Sequence, residues 1–516
     1  MSAWTVADCV AATARSAPDR VAIEVLDPPT SGTDPVETWT YGRFWARVEA
    51  LAGTLGAVEP GPHGPAVAIL GPNSVDHLAA YLACQLVGAA AVPVNNRLAP
   101  AEVEFVLTDS GASVLLTQVP HLDVARSAAA STGVHPVDTA TIDQPDPNAG
   151  LDTAGTAWSG PSAPEAADRP ALVAYTSGTT GFPKGSVVPN QGLVTRLAQW
   201  SWTFGLSPRQ VLSTPGPVFH MSYGGLSLAH LAAGGRNRLM IDFDPEVALE
   251  EYTSRATWAF LVPSMTAMIA EAWERAGQPP LEALEWMLSS GAPGPMSLLD
   301  TAFDLFPNAN ITEAYGWTEG GWVTYEVKER STLVAHSVGW AVLGTELDVR
   351  DENGVRCPPG QPGEVVARSI TPFCGYLGNP EATTAATTED GFCRSGDVGI
   401  RDADGRLRIV DRVKDMIISG GENVYCAEVE RVLIEHPDVL EAAVIGLPDP
   451  TWGERVTAAV AWRPDADPDT EAVVAHCRDH LAGYKCPKEI ASVPELPRNP
   501  MGKVQKFKLV EQLTRA

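Results

Sequence analysis

Short apolar segments alternate with helical segments over the first third of the chain, and this alternation most restricts the folds available to it. Segments 66–70, 90–94 and 113–117 have the length and apolar content of buried strands, whereas 73–86 and 102–109 have helical periodicity. Before them, segments 21–25 and 37–40 indicate a hairpin, and Thr40 is a candidate N-cap for a helix that runs to about residue 58. Strands that alternate with helices pair in parallel, so the pattern predicts a doubly wound α/β layer. At 516 residues the chain exceeds the size of one core, and two or more domains are expected.

The most distinctive stretch follows a further apolar segment at 171–175. A loop of glycines and hydroxylated residues begins at Thr176 and ends at Lys184 and Gly185. Glycines let the backbone approach a ligand closely, and the hydroxyls and lysine add donors and positive charge, so the loop suits a polyphosphate. It has neither the Walker A spacing nor the G-x-G-x-x-G dinucleotide pattern. An ordinary surface turn is the alternative.

The charge balance restricts the class of partner. With 63 acidic and 36 basic residues, the chain carries a formal net charge of -27 at pH 7. This argues against nucleic acid or an anionic membrane as a partner, so an anionic ligand needs a local site screened by metal ions. No signal peptide is read, and the apolar segment 78–94 is too short to span a bilayer. We expect no membrane attachment and a cytoplasmic location.

Cysteine and histidine spacing predicts neither a disulfide framework nor a structural metal site. None of the eight cysteines forms a C-x-x-C pair. His476, Cys477 and His480 fall on one predicted helix, but no second cluster completes four ligands.

The pattern changes after about residue 335. Short strands then alternate with turn signals at 351–354, 358–360 and 402–405, which is typical of antiparallel β-structure. Beyond residue 415, helical segments at 426–435 and 470–481 flank strands at 439–446 and 456–462. We therefore expect a β-barrel-like subdomain followed by a small α+β domain.

Six short motifs occur in a fixed order along the chain. They are the glycine loop, Phe219-His220, Tyr315-Gly-x-Thr-Glu319, Ser395-Gly-Asp397, Asp411-Arg-x-Lys-Asp415 and Asn499-Pro-x-Gly-Lys503. We expect the Tyr315 motif in a loop after a strand at 310–313, and the Asp397 motif in a loop before a strand. Each motif alone has an ordinary explanation, such as a turn former at Asp397, a packed aromatic ring at Tyr315 or a satisfied core histidine at His220. In this order they resemble the acyl-adenylate-forming superfamily, which includes acyl-CoA synthetases, peptide-synthetase adenylation domains and firefly luciferase. The resemblance extends from residue 66 to residue 509.

This resemblance implies an ATP site with Mg²⁺. The implied ATP contacts are Thr176, Ser177, Gly178, Thr179, Thr180, Gly181 and Lys184 at the β- and γ-phosphates, Gly291, Ala292, Pro293 and Tyr315 at adenine, and Asp397 and Arg412 at ribose. Four further residues are implied in catalysis: Thr318 at phosphate, Glu319 as the Mg²⁺ ligand, His220 beside the substrate carboxylate, and Lys503 between that carboxylate and the α-phosphate. A hard cation prefers such carboxylate and phosphate oxygens.

The implied reaction has two steps. A small carboxylic acid attacks the α-phosphate of ATP and releases pyrophosphate, and a thiol then attacks the acyl-adenylate. The resemblance implies a large domain over 1–413 and a small mobile domain over 414–516, with Lys414 at the hinge. It also places Gly420, Gly421 and Trp452 beside the pantetheine channel of coenzyme A.

Three matters stay open at this point. The second substrate is coenzyme A in the favoured interpretation, whereas a carrier protein, an amine or another small nucleophile is the alternative. A non-catalytic nucleotide-binding homologue is a further alternative. Tyr223, Trp317 and Trp322 favour an aryl or a short- to medium-chain acid, unless their rings lie in the core. A homodimer is the assembly considered.

Overall fold

The computed structural model describes residues 4–143, 167–176, 183–292, 294–419, 422–449, 452–498 and 504–515. The chain divides into two compact units. The first comprises Met1–Leu347 and Ala367–Cys393, and the second comprises Asp348–Val366 and Arg394–Ala516.

The elements are as follows. The helices are α1 Val6–Ser16, α2 Pro28–Ser31, α3 Tyr41–Leu55, α4 Val75–Val87, α5 Pro100–Ser110, α6 Leu122–Ala129, α7 Asn190–Thr203, α8 Met221–Ala232, α9 Pro245–Ser254, α10 Pro263–Arg275, α11 Met296–Leu305, α12 Pro380–Ala385, α13 Cys426–Ile434, α14 Thr470–His480 and α15 Lys506–Arg515. The strands are β1 Val21–Leu26, β2 Glu37–Thr40, β3 Pro60–Gly61, β4 Gly64–Leu70, β5 Ala90–Val94, β6 Val114–Thr117, β7 His135–Asp138, β8 Pro170–Thr176, β9 Lys184–Pro189, β10 Val211–Thr214, β11 Arg236–Met240, β12 Trp258–Leu261, β13 Trp286–Ser289, β14 Asn310–Trp317, β15 Gly321–Val327, β16 Ser337–Ala341, β17 Thr345–Arg350, β18 Pro362–Ser369, β19 Cys393–Arg401, β20 Leu407–Arg412, β21 Ile417–Ser419, β22 Glu422–Val424, β23 Val439–Asp449, β24 Gly453–Trp462 and β25 Glu489–Ser492.

The first sheet of the first unit has the order β7-β6-β4-β5-β8-β9, with β3 beside β4. Its strands pair in parallel except for β8 with β9 and β3 with β4. Val67 and Ile69 of β4 pack into one apolar cluster with α3 and α4, whereas Ala68 and Leu70 pack into another with α5 and α6. Both faces of the strand are therefore buried, which explains its continuous apolar run. The predicted doubly wound layer is confirmed.

The second sheet of this unit runs β16-β15-β14-β13-β12-β10-β11-β1-β2. The six strands from β14 to β1 in that order pair in parallel. Strand β2 pairs antiparallel with β1, as the hairpin predicted at 21–40 requires, and Thr40 caps α3 by accepting from the Arg43 amide at 3.2 Å. Helices α9, α10 and α11 contribute to the apolar cluster on one face of the sheet.

The second unit carries the β-rich region and the α+β region. Strands β17, β18, β19 and β20 are neighbours in that order, and a further sheet has the order β22-β21-β24-β23, with β25 paired in parallel to β24. Helices α13 and α14 pack in one apolar cluster with this sheet, whereas Leu509 of α15 packs in another with Ala443 and Ile445. The helices and strands predicted beyond residue 415 are confirmed within a few residues.

Three further observations bear on the class of protein. Across the described part of the chain, no helix combines the length and apolar character needed to cross a membrane. The eight cysteines are free thiols. In the same described residues, no group of three His, Cys, Asp or Glu side chains is arranged to hold a metal ion. The His476 ring contacts the His436 ring edge-on and the His480 ring at a tilt.

Candidate active site

The carboxyl ends of the parallel strands β10, β12, β13 and β14 lie along one edge of the second sheet. Ligands of open α/β sheets bind in the crevice outside this edge. His220 follows β10 and precedes α8, Gly291 and Ala292 follow β13, and Tyr315 and Thr318 lie at the end of β14. Topology thus brings together predicted site residues that are up to 98 positions apart in the sequence, from His220 to Thr318.

Strand β14 is longer than the sequence predicts. We expected it to end at residue 313, but it continues through Trp317, so Tyr315 lies in a strand and not in a loop. The pairing of β14 with β15 shifts register between Tyr315 and Gly316. A Cβ on Gly316 would lie 1.9 Å from the Gly321 carbonyl oxygen, so glycine is required where the hairpin closes tightly. This bulge redirects the end of the strand into the Thr318-Glu319 turn.

Hydrogen bonds hold both the side chain and the backbone of Glu319 in place. The Tyr376 hydroxyl donates to Glu319 Oε1 at 2.7 Å. The Arg196 guanidinium, from α7, donates to the carbonyl oxygens of Thr318 at 3.1 Å and Glu319 at 3.3 Å. Burial lowers the pKa of Arg196 to about 10, while the Glu319 charge opposes this shift, so the guanidinium stays charged at neutral pH.

Sequence reasoning missed both Arg196 and Tyr376. A signal exists for Arg196, because it shares the buried face of α7 with Leu193, Leu197 and Trp200. A lone charge on such an apolar face needs a buried polar partner. Tyr376 has no comparable signal, because its partner Glu319 is 57 positions away.

His220 is exposed and caps the N-terminus of α8. Its Nδ1 accepts from the Ser222 amide at 3.3 Å and lies 2.7 Å from the Ser222 hydroxyl oxygen. An accepting Nδ1 places the proton of the neutral ring on Nε2. His220 is therefore not the satisfied core histidine that was its alternative interpretation.

Two of the three predicted aromatic pocket residues pack in the core. Trp322 packs against Trp200 with ring centroids 4.3 Å apart, and its indole N–H donates to the Ser290 hydroxyl at 3.3 Å. Tyr223 packs against Phe260 with centroids 4.5 Å apart. Both side chains are buried, so they fill the protein interior and do not line an open pocket. Trp317 is half-buried and donates to Cys393 Sγ at 3.4 Å.

The glycine loop is bracketed by paired strands. Ser177, Gly178, Thr179, Thr180 and Gly181 lie outside the described residues. Thr176 ends β8 and pairs with Lys184, which begins β9. We expected Lys184 to lie in the loop, so this expectation was wrong. The two ends of the loop are thus held side by side. The Lys184 ammonium lies 5.4 Å from the centroid of the Tyr376 ring.

In the second unit, Asp397 and Arg412 are cross-strand partners. Asp397 lies within β19 and not before a strand, which corrects the sequence prediction, and it pairs in register with Arg412 of β20. The Arg412 Nε donates to Asp397 Oδ1 at 3.1 Å. Asp397 is buried and Arg412 is exposed. The pair supplies a fixed carboxylate, whose oxygens can accept hydrogen bonds from hydroxyl groups such as those of a ribose.

The remaining predicted residues are described in part. Pro293, Gly420, Gly421 and Lys503 lie outside the described residues. The backbone of Lys414 lies in the 3₁₀ turn Val413–Asp415, inside the second unit, and its hinge role stays a prediction. Trp452 is 45% exposed, with the Lys488 ammonium 5.8 Å from its ring centroid, so its side chain is accessible to a ligand.

Known proteins share this architecture along nearly the whole chain. Residues 10–377 match the family model of the AMP-binding enzyme, and residues 428–503 match that of the AMP-binding enzyme C-terminal domain. Feruloyl-CoA synthase from an Amycolatopsis species is 36% identical over 90% of this chain and 92% of its own length. Long-chain-fatty-acid–CoA ligase FadD13 from Mycobacterium tuberculosis is 35% identical over 92% of this chain and 93% of its own length.

A solved structure extends the similarity to three dimensions. The amide bond synthetase McbA from Marinactinospora thermotolerans has a TM-score of 0.83 and 29% identity, and the match covers 98% of this chain and 99% of that chain. The order of motifs, the two-part family match and the fold therefore agree.

Proposed function

The chain belongs to the AMP-binding enzyme family, as an ATP-dependent acyl-CoA ligase, and we propose that its acid is aryl or of short to medium chain length. The observation that carries this proposal is that the buried Tyr223 side chain fills the space beside the sheet. Long acyl chains need a channel that continues past the carboxylate, whereas a compact acid needs only a shallow cleft.

Tyr223 lies one turn into α8 from His220 and is tightly enclosed. A Cβ on Gly216 would lie 2.1 Å from the Tyr223 ring, and the Tyr223 hydroxyl donates to Met265 Sδ at 3.3 Å. Burial raises the pKa of Tyr223, so the hydroxyl stays protonated as a donor. The ring therefore limits how far an acyl group can extend behind His220. An aryl acid of the kind named for feruloyl-CoA synthase fits this limit better than the long chain named for FadD13.

The Glu319 carboxylate fits the implied Mg²⁺. Its Oε1 accepts from Tyr376, and among the described residues its Oε2 accepts no hydrogen bond, so one hard oxygen donor remains for a cation. When bound, Mg²⁺ supplies positive charge to the phosphates of ATP. Glu319 would hold it, Asp397 would accept from the ribose, and Lys503 would neutralise the acid carboxylate. His220 would orient that carboxylate through its exposed ring.

A pyrophosphate-release assay with a panel of carboxylic acids, with and without coenzyme A, tests the proposal. We expect release that depends on aryl or short- to medium-chain acids, with a matching thioester product. Release that needs no acid would contradict the ligase function. Acid-dependent release without thioester would favour an amine or a carrier protein as the nucleophile, as the similarity to an amide bond synthetase allows.

Replacing Lys414 with proline tests the proposed hinge. Proline removes a backbone N–H and restricts φ in the turn Val413–Asp415, so a change of backbone conformation there is hindered. We expect thioester formation to fall about tenfold or more while adenylation is largely retained, because only the second step needs the rotation. Lys414→Ala is the matched control. Thioester synthesis at the normal rate in Lys414→Pro would refute the hinge.

A further inference from the structure

The segment around Tyr376 is attached to the strand that leaves the glycine loop. The Leu377 amide donates to the Gly185 carbonyl oxygen at 2.8 Å, and the Val187 amide donates to the Gly375 carbonyl oxygen at 3.0 Å. Tyr376 itself forms an antiparallel bridge with Ser186. The backbone of Tyr376 is therefore fixed to β9, two residues beyond Lys184.

The side chain of Tyr376 contacts two residues of opposite charge. Its ring centroid lies 5.4 Å from the Lys184 ammonium, within the range of a cation–π contact. Its hydroxyl donates to Glu319 Oε1 at 2.7 Å, the length of a charge-assisted hydrogen bond. One rigid side chain thus spans from the end of the glycine loop to the carboxylate at the end of β14.

The direction of the hydrogen bond follows from the surroundings. An ionised carboxylate has no proton to donate, so the Tyr376 hydroxyl is the donor to Glu319 Oε1. The bond occupies Oε1 and sets the plane of the carboxylate. Arg196 separately holds the Thr318 and Glu319 carbonyl oxygens. The side chain and the backbone of Glu319 therefore have different supports.

We propose that Tyr376 is a positioning residue that couples the Lys184 end of the glycine loop to the Glu319 carboxylate, and thereby sets the metal dependence of ATP binding. The inference rests on the proposed function, because Glu319 and the loop must serve a metal-bound triphosphate. Tyr376 is not assigned to the reacting atoms. It acts by holding Glu319 in the orientation that leaves Oε2 available.

ATP binding without acid, measured by titration calorimetry with and without Mg²⁺, tests the inference. Tyr376→Phe retains the ring beneath Lys184 and removes only the hydroxyl. We expect the ratio of ATP affinity with Mg²⁺ to ATP affinity without it to fall about tenfold in this variant. Metal-free ATP binding should change little. Tyr41→Phe is the control, because the Tyr41 hydroxyl donates to the Leu231 and Gly235 carbonyl oxygens away from Glu319.

A second variant separates positioning from a general loss of structure. In a Glu319→Gln background, adding Tyr376→Phe should cause no further loss of metal dependence, because the hydroxyl acts through the carboxylate. Additive losses in the double variant, or an unchanged Mg²⁺ effect in Tyr376→Phe alone, would overturn the inference. Absence of ATP binding by the unsubstituted protein would instead contradict the proposed function.

Discussion

Replacing Lys503 with alanine is expected to lower the rate of acyl-adenylate formation about 10²–10³-fold or more, the range seen when one preorganised charge-stabilising group is lost. The acid carboxylate and the triphosphate repel each other, so their approach needs positive charge between them. Attack of a thiol on a finished adenylate has no such repulsion. Thioester formation from supplied acyl-adenylate should therefore stay largely intact.

Lys503 lies outside the described residues, three positions before helix α15, which begins at Lys506. The Lys506 ammonium pairs with Glu430 Oε1 at 2.7 Å, and Leu509 is fully buried. Helix α15, which follows Lys503 in the chain, is therefore anchored to the sheet of β23 and β24.

Separate measurement of the two half-reactions checks this prediction. Lys184→Ala is the matched control, and it should impair adenylation far less, because the resemblance assigns Lys184 to the phosphates that leave. Equal losses in both half-reactions of Lys503→Ala would contradict the role assigned to Lys503.

Replacing Tyr223 with alanine is expected to extend the range of acids toward larger acyl groups. The ring is 5% exposed and lies against Phe260 and Gly216, so its removal opens space behind His220. Relative kcat/KM for an acid longer by a few methylenes should rise about tenfold or more. The lost packing should also cost about 3–5 kcal/mol of unfolding free energy.

Competition between short and long acids, together with denaturant unfolding, checks both effects. Tyr223→Phe keeps the ring and loses only the bond to Met265, so its acid preference should be unchanged. A destabilised Tyr223→Ala protein with unchanged acid preference would show that the ring serves the core alone.

Local patterns predicted much of the fold. The continuous apolar run of β4 indicated a strand covered on both faces, and the Thr40 cap marked the start of α3. Local patterns gave the wrong assignment where pairing with a distant strand extends a strand. Tyr315 and Asp397 were placed in loops, yet β15 and β20 recruit them into strands. Glycine-containing motifs look like turns in sequence, because a bulge and a turn use the same residues.

The order of short motifs was enough to identify the family of this chain and its acyl-CoA ligase chemistry. The order of the motifs did not show which other side chains hold the motif residues in position. Tyr376 meets Glu319, and Arg196 supports the same turn, only because the sheets bring distant segments together. Whether Tyr223 and Trp322 face a ligand or the core likewise depended on packing. Burial is a property of the neighbours that a side chain meets in space, and local sequence does not specify them.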